Sequence, residues 1–199
     1  MKWFTHSLST LKGLAIFMLL SIFTAVTVQA AASLTLTGKS TDVKYESDKD
    51  IRISLIDWSV PVQQAAVENA WRQYQDDGDL ETFLASVEDQ DTRGYVFSAA
   101  ATGYRIKYAW QEETDNGRHM RFLVTPGLKT RNPYLWNTPN NTSPAYTFVE
   151  VRLQNETGEA KTSLDGAIVL NEQGKLTLDR FETMKLFATM EDSTPYYLE

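Results

Sequence analysis

The sequence predicts an α+β fold that is mainly antiparallel β: about eight strands in a curled sheet or partial barrel, with a helical hairpin inserted after the second strand. Two observations lead there. Two-residue alternation of apolar and polar side chains marks two segments before Ser59 and about six after Arg93, while the only helical spacing lies between them. Runs of strands with their helices grouped together favour a layered antiparallel architecture over a parallel one.

The first strand is short, with Leu34 and Leu36 alternating with threonines across Ala32 to Thr37. Gly38 to Asp50 is polar enough to be a long loop or a frayed lead-in. Ile51 to Trp58 makes the second strand, with Ile51, Ile53 and Leu55 on one face, and the Leu55-Ile56 pair predicts a bulge that shifts the phase towards Trp58. Ser59 can cap a helix with Pro61 in its first turn, and Asp77-Gly78 stops it. Val62, Ala66, Ala70, Trp71 and Tyr74 fall on one stripe of that helix. Asp79 then caps a shorter helix, in which Leu80, Phe83, Leu84 and Val87 repeat at i, i+3, i+4 and i+7.

From Arg93 onward the signal is strand. Tyr104, Ile106, Tyr108 and Trp110 alternate with Arg105, Lys107, Ala109 and Gln111, while Met120, Phe122 and Val124 alternate with His119, Arg121 and Leu123. A three-residue loop over Asp115-Asn116-Gly117 puts both apolar rows on one side, pairing Trp110 with Phe122 and Tyr108 with Val124. Tyr146 to Gln154 places Val149, Val151 and Leu153 together and turns at Asn155 to Gly158. Ala160 to Leu170 follows, with Gly166 as a bend, and then Lys175 to Phe181 and Thr183 to Met190. Leu176 and Leu178, then Met184, Leu186 and Met190, are the inward candidates there.

Ahead of the strands, Lys2 and Lys12 precede an apolar run from Gly13 to Val28 and the small-residue sequence Val28 to Ala32. This is the pattern of a cleavable secretory signal over residues 1–30, leaving residues 31–199 as a single β-rich domain that starts at Ala31 and lies in the periplasm or outside the cell. The run is short of the roughly 20 residues a membrane span needs. With no cysteine in the chain, a lipid on the new N-terminus, a disulfide framework, a thiol nucleophile and thiolate metal sites are all excluded. The expected product is therefore not membrane-anchored. Removing Lys2 and Lys12 from the 19 basic residues leaves 17 against 26 acidic ones, a net charge of −9, which repels phosphate backbones and argues against nucleic acid as a partner.

Catalytic signals are few. Only His119 follows the signal, on a polar strand face and without a G-x-S-x-G element, so neither a serine triad nor a histidine-rich metal site is expected, and no cofactor. Acidic residues gather at Asp76-Asp77-Gly78-Asp79 and from Glu88 to Gly94. The second group begins like a calcium loop but has Arg93 and Ala100 where the ion needs oxygen ligands. Pairs of acids flanking a glycosidic bond cannot be chosen by spacing alone.

The least usual segment runs from Pro126 to Pro144. Loops of nearly twenty residues inside compact domains are uncommon and tend to be functional or mobile. Tyr134 and Trp136, with Arg131 and Asn132, are the candidate ligand contacts, and a plug closing one end of the sheet is the other reading of the same residues. Likewise, the row Tyr104, Tyr108, Trp110 and Phe122 can line a cavity for an apolar ligand or simply form core.

Trp58 at a strand end before a helix, Gly103-Tyr104-Arg105-Ile106-Lys107-Tyr108-Ala109, Tyr146-Thr147-Phe148-Val149-Glu150-Val151-Arg152-Leu153, and then Gly158 and Gly166 form a pattern across Ile51 to Met190. It resembles a family of small, exported, uncharacterised bacterial proteins. The motifs are strand patterns, and the resemblance implies no activity. Two expectations remain: a non-catalytic binding or accessory module of the cell envelope, with a small ligand or an envelope protein as partner, or a carboxylate-dependent hydrolase.

Overall fold

Eight strands close into a barrel in which every neighbouring pair is antiparallel, in a computed structural model that describes residues 34–41, 50–98, 103–128, 145–163 and 167–194. The strands are β1 (Leu34–Ser40), β2 (Asp50–Leu55), β3 (Gly94–Ser98), β4 (Tyr104–Thr114), β5 (Gly117–Thr125), β6 (Thr147–Gln154), β7 (Thr157–Ser163) and β10 (Ala188–Asp192). They run around the barrel in the order β1-β10-β7-β6-β5-β4-β3-β2. Helices α1 (Pro61–Asp77) and α2 (Leu80–Glu88) are inserted between β2 and β3. A two-stranded hairpin, β8 (Ile168–Leu170) and β9 (Leu176–Leu178), is inserted between β7 and β10 and followed by a 3-10 turn at Phe181–Thr183. The α+β class, the antiparallel strands and the place of the helical hairpin agree with the sequence reading.

Alternation decides which face each residue takes. Leu34, Leu36, Ile51, Ile53, Leu55, Met120, Phe122, Val149, Val151, Leu153 and Met190 point inward and form one contiguous buried cluster, with Trp58 and Tyr104 packed at its margin. Trp58 stacks on Phe122, centroids 6.1 Å apart. An eight-stranded barrel has an interior about wide enough for side chains to fill. Arg118 of β5 reaches Asp192 of β10 in an ion pair that crosses the tips of β6 and β7. Gly158 is needed beside it, because a Cβ there would lie 1.9 Å from the Arg152 carbonyl oxygen.

A second cluster lies outside the barrel. Val67, Trp71, Phe83 and Val87 of the helices pack with Tyr108, Leu123, Tyr146 and Phe148 of the wall and with Ile168, Leu176, Leu178 and Phe181 of the later segment. The helices begin and end largely as their residues dictate. Pro61 opens α1, Gly78 closes it at φ 75°, and the Asp79 side chain accepts the Thr82 N–H at 3.0 Å to cap α2.

Several local expectations are corrected. Val60, not Ser59, precedes the first turn, and Ser59 instead bridges to β4, where its Oγ accepts the Ala109 N–H at 3.0 Å. The buried stripe of α1 is Gln64, Val67, Glu68 and Trp71, whereas Val62 is 74% exposed. β2 ends at Leu55 without a bulge. Ala160 to Leu170 divides into β7 and β8, and the last two expected strands shorten to β9 and β10 around the 3-10 turn.

The largest correction is in the β4–β5 hairpin. Thr114 pairs with Gly117, so the turn is Asp115-Asn116, and Ala109, not Trp110, pairs with Phe122. The register then shifts between Ile106 and Tyr108. That irregularity at Lys107 reverses the alternation, so Tyr104 and Ile106 belong to the interior while Tyr108 and Trp110 face the outer cluster. The expected single aromatic row is thus two half-rows on opposite sides of the wall. Lys107 itself is buried, and its Nζ donates to the carbonyls of Glu88 at 2.9 Å and Gln90 at 2.6 Å, placing a cation on the C-terminal end of α2.

Candidate functional site

Across β4 to β7 the outward residues form three parallel rows. Tyr108, Leu123 and Phe148 are direct cross-strand neighbours and lie under the helices. One pair along, Trp110, Arg121, Glu150 and Lys161 stand side by side. One further pair along, Glu112, His119, Arg152 and Glu159 do the same. The outer face therefore grades from apolar, through buried charge, to an open charged rim.

Glu150 organises the middle row. It is 0% exposed, and its carboxylate accepts from the Arg152 Nε at 2.9 Å, the Leu178 backbone N–H at 2.8 Å and the Thr177 hydroxyl at 3.0 Å. Arg121 Nε stands 3.5 Å away without a hydrogen bond, so its attraction to Glu150 is Coulombic, and its guanidinium lies 4.6 Å from the centroid of Trp110. A buried carboxylate is stable only with this kind of compensation. Lys161 is also buried and donates to the Phe181 carbonyl at 2.9 Å. Beside the row, the Tyr108 hydroxyl donates to Glu68 at 2.9 Å, and Lys175 bridges Glu68 and Gln64 at 3.1 and 2.9 Å. Burial, and then the Glu68 charge, pushes the Tyr108 hydroxyl up, so it remains a donor.

The rim row opens onto a cleft of about 690 Å³ at the tips of the β4–β5 and β6–β7 hairpins. Thr114, Asn116, Gln154, Asn155 and Thr157 supply neutral hydrogen-bonding groups, and His119, Arg152, Glu159 and Glu182 supply the rest. Arg152 is held from below by Glu150 and by the Phe181 ring, 3.9 Å from its Cζ. Its outer edge meets Glu182 at 2.7 Å, and the Glu182 side chain is 76% exposed. Partial burial, with the positive charges of Arg152 and Arg121, pulls His119 below the usual histidine range despite Glu150 and Glu112. The cleft thus presents a neutral imidazole beside a fixed guanidinium. A second, shallower concavity of about 840 Å³ crosses β10, β1, β2 and β3, where Arg52 lies over Phe97 and Lys39 pairs with Asp50.

No protein-family model, curated protein or solved structure matched the chain.

Arg131, Asn132, Tyr134 and Trp136 lie outside the described residues, as do the signal segment and Gly166. The connection that carries the first four joins Thr125 of β5 to Thr147 of β6, at the strand ends opposite the cleft. Its described ends are anchored on both sides of the wall. The Leu128 N–H donates to the Thr147 hydroxyl at 2.9 Å and Leu128 joins the interior, while Tyr146 packs edge-on to Phe83 at 5.4 Å.

The acidic groups of the sequence have local partners. Asp79 caps α2, and Thr82 holds its carboxyl below the usual range. Arg93 takes both oxygens of Asp57 at 2.9 Å and Asp91 at 3.0 Å, and Glu88 takes Arg105 at 3.0 Å. Among the described residues, no group of three or more acidic or histidine side chains is arranged to hold a metal ion. Sequence reasoning placed His119 on a polar strand face but missed its neighbours. The alternation of β5, β6 and β7 puts His119, Arg152 and Glu159 all outward; only the register between strands makes them adjacent.

Proposed function

We propose that this chain is an exported, non-catalytic binding or accessory protein of the cell envelope, freed from the membrane by signal cleavage, and that it takes a small polar ligand in the cleft beside Arg152. The observation that carries this reading is the support beneath that residue: Arg152 is fixed by buried Glu150 and by Phe181 while its outer edge faces the cleft. Preorganised polar groups of this kind lower the entropy cost of binding. The resemblance to small exported bacterial proteins and the acidic composition after residue 30 agree with an envelope location and with a partner other than nucleic acid.

Titrating the purified protein with sugars, amino acids and carboxylates tests the cleft, with tryptophan fluorescence and calorimetry as readouts. Saturable binding that Asn116→Ala weakens supports the reading. Absence of binding by any of these compounds counts against the cleft, and loss of binding in Trp136→Ala alone would move the site to the Pro126–Pro144 connection with Arg131, Asn132 and Tyr134. N-terminal sequencing of the exported product is expected to begin at Ala31.

One observation favours a carboxylate-dependent hydrolase: Glu159 and Glu182 share the cleft with His119. A proton donor to a leaving group works best buried and away from cations. Glu182 is exposed and paired with Arg152, and Glu159 lies 3.4 Å from Lys161, so binding is the better supported use of the cleft. Hydrolysis of a glycan or ester substrate abolished by Glu159→Gln would reverse that preference.

A further inference from the structure

Among the described residues, Arg152 has three partners of very different kinds. Its Nε is committed to Glu150, which no solvent reaches. Its face is committed to Phe181. Of these three contacts, the one at Nη1 is the one free to change partner, because it holds an exposed carboxylate carried on a one-turn 3-10 segment at the rim of the cleft. Exposed ion pairs contribute little, since water and side-chain entropy offset most of the attraction. A planar guanidinium presents its outer edge as a fork matched to a carboxylate.

We infer that Glu182 is a built-in stand-in for the ligand: the cleft recognises a carboxylate that displaces Glu182 from Arg152, so the protein selects carboxylate-bearing ligands and Glu182 holds their affinity down. The inference rests on the cleft being the binding site. Local charge supports it. Glu159 has Lys161 beside it and His119 is held neutral, so Arg152 is the cation whose partner can leave. Asn116, Thr114 and Asn155 stand around it to satisfy the rest of a small polar molecule. The ligand is a free organic acid or the C-terminal carboxylate of a peptide; both present the same group.

The test compares N-acetyl amino acids, short dipeptides and simple carboxylates such as succinate with the same compounds as amides, by calorimetry on the intact protein and on Glu182→Gln. The expected result has three parts. Carboxylates bind and their amides bind at least tenfold more weakly, the loss expected for one charge-assisted hydrogen bond. Glu182→Gln binds carboxylates about two- to fivefold more tightly, the worth of the exposed pair it removes. Its affinity for the amides is unchanged.

Arg152→Lys, which keeps the charge over Glu150 but loses the fork, is expected to weaken carboxylates alone. Dipeptides binding where simple acids do not would assign the site to peptide ends; the reverse would assign it to free acids. Equal binding of acids and amides, with no gain in Glu182→Gln, overturns the inference and leaves the cleft as a binding site. No binding of any acid, amide or sugar to either protein overturns both.

Discussion

The two sides of the barrel wall solve the same packing problem with different materials. Inside, Leu36, Ile53, Met120, Phe122 and Val151 meet apolar side chain against apolar side chain, with the Arg118–Asp192 pair towards one end, and stability there depends mainly on filling space. Outside, from β4 to β7, the wall buries Arg121, Glu150 and Lys161 under the 3-10 turn and the β8–β9 hairpin, and stability depends on each charge keeping its partners. The interior tolerates exchange of shape. The outer layer tolerates little exchange of chemistry, and that rigidity carries Arg152 to the cleft.

Removing bulk from the interior should have the largest effect. Phe122→Ala loses a fully buried ring and its stack with Trp58, and is expected to cost about 3–5 kcal/mol in urea unfolding. Glu150→Ala comes next, at about 3 kcal/mol, because it takes the buried carboxylate from Arg121 and Arg152 and leaves them only the more exposed Glu112 and Glu182. The two should differ in kind. Phe122→Leu recovers much of the first loss, whereas Glu150→Leu, although apolar and bulky, recovers little of the second. If Glu150→Leu proved as stable as the parent, the outer layer would be ordinary hydrophobic packing and the contrast would fail. Lys107→Met removes the cation from the end of α2 and should cost about 1–2 kcal/mol, without altering the barrel's near-ultraviolet circular dichroism.

The smallest effect is on pH dependence. His119 is pulled below its ordinary value in the folded protein by burial and then by Arg152 and Arg121, so the unfolded chain binds the proton first. Stability therefore rises with pH through this window; it is present above about 6.5 and is lost as pH falls towards the folded value. Thermal melts between pH 7 and pH 5 should show this slope, and His119→Gln should flatten it. An unchanged slope would place the acid sensitivity elsewhere. Asp192 acts in a lower range: burial raises its carboxyl, but Thr194 and Arg118 outweigh that and hold it down, so its contribution is lost only below the ordinary carboxylate range.

The order of elements was legible because each left a local mark: alternation for the strands, Pro61 and Gly78 for α1, Asp79 for α2. Barrel closure was legible only as a curled sheet or partial barrel, since the pairing of β1 with β10 joins residues about 150 apart and leaves no local trace. The β4–β5 register was misread because an unbroken alternation from Tyr104 to Trp110 looks like one face, and nothing in Lys107 announces the irregularity that splits it. The helix stripe was misread at Val62 and Glu68 for a related reason. Apolarity was used to infer burial, yet Glu68 is buried by its bonds to Tyr108 and Lys175 while Val62 faces solvent. The cleft was legible only in its parts, because His119, Arg152 and Glu159 sit on three strands whose relative register is set by turns.

Closure between β1 and β10 also bears on how the chain must fold. Leu36 opposes Asp192, the Thr35 carbonyl accepts from Ser193, and the Thr194 hydroxyl accepts from Thr35, so the last strand completes what the first begins. Contacts so distant in sequence make for slow folding. Until β10 arrives, β1 and β7 each present an open edge with unpaired backbone groups, the template on which chains associate. A chain shortened before Ala188 would retain its helices and six of the eight pairings of the barrel, yet it should aggregate.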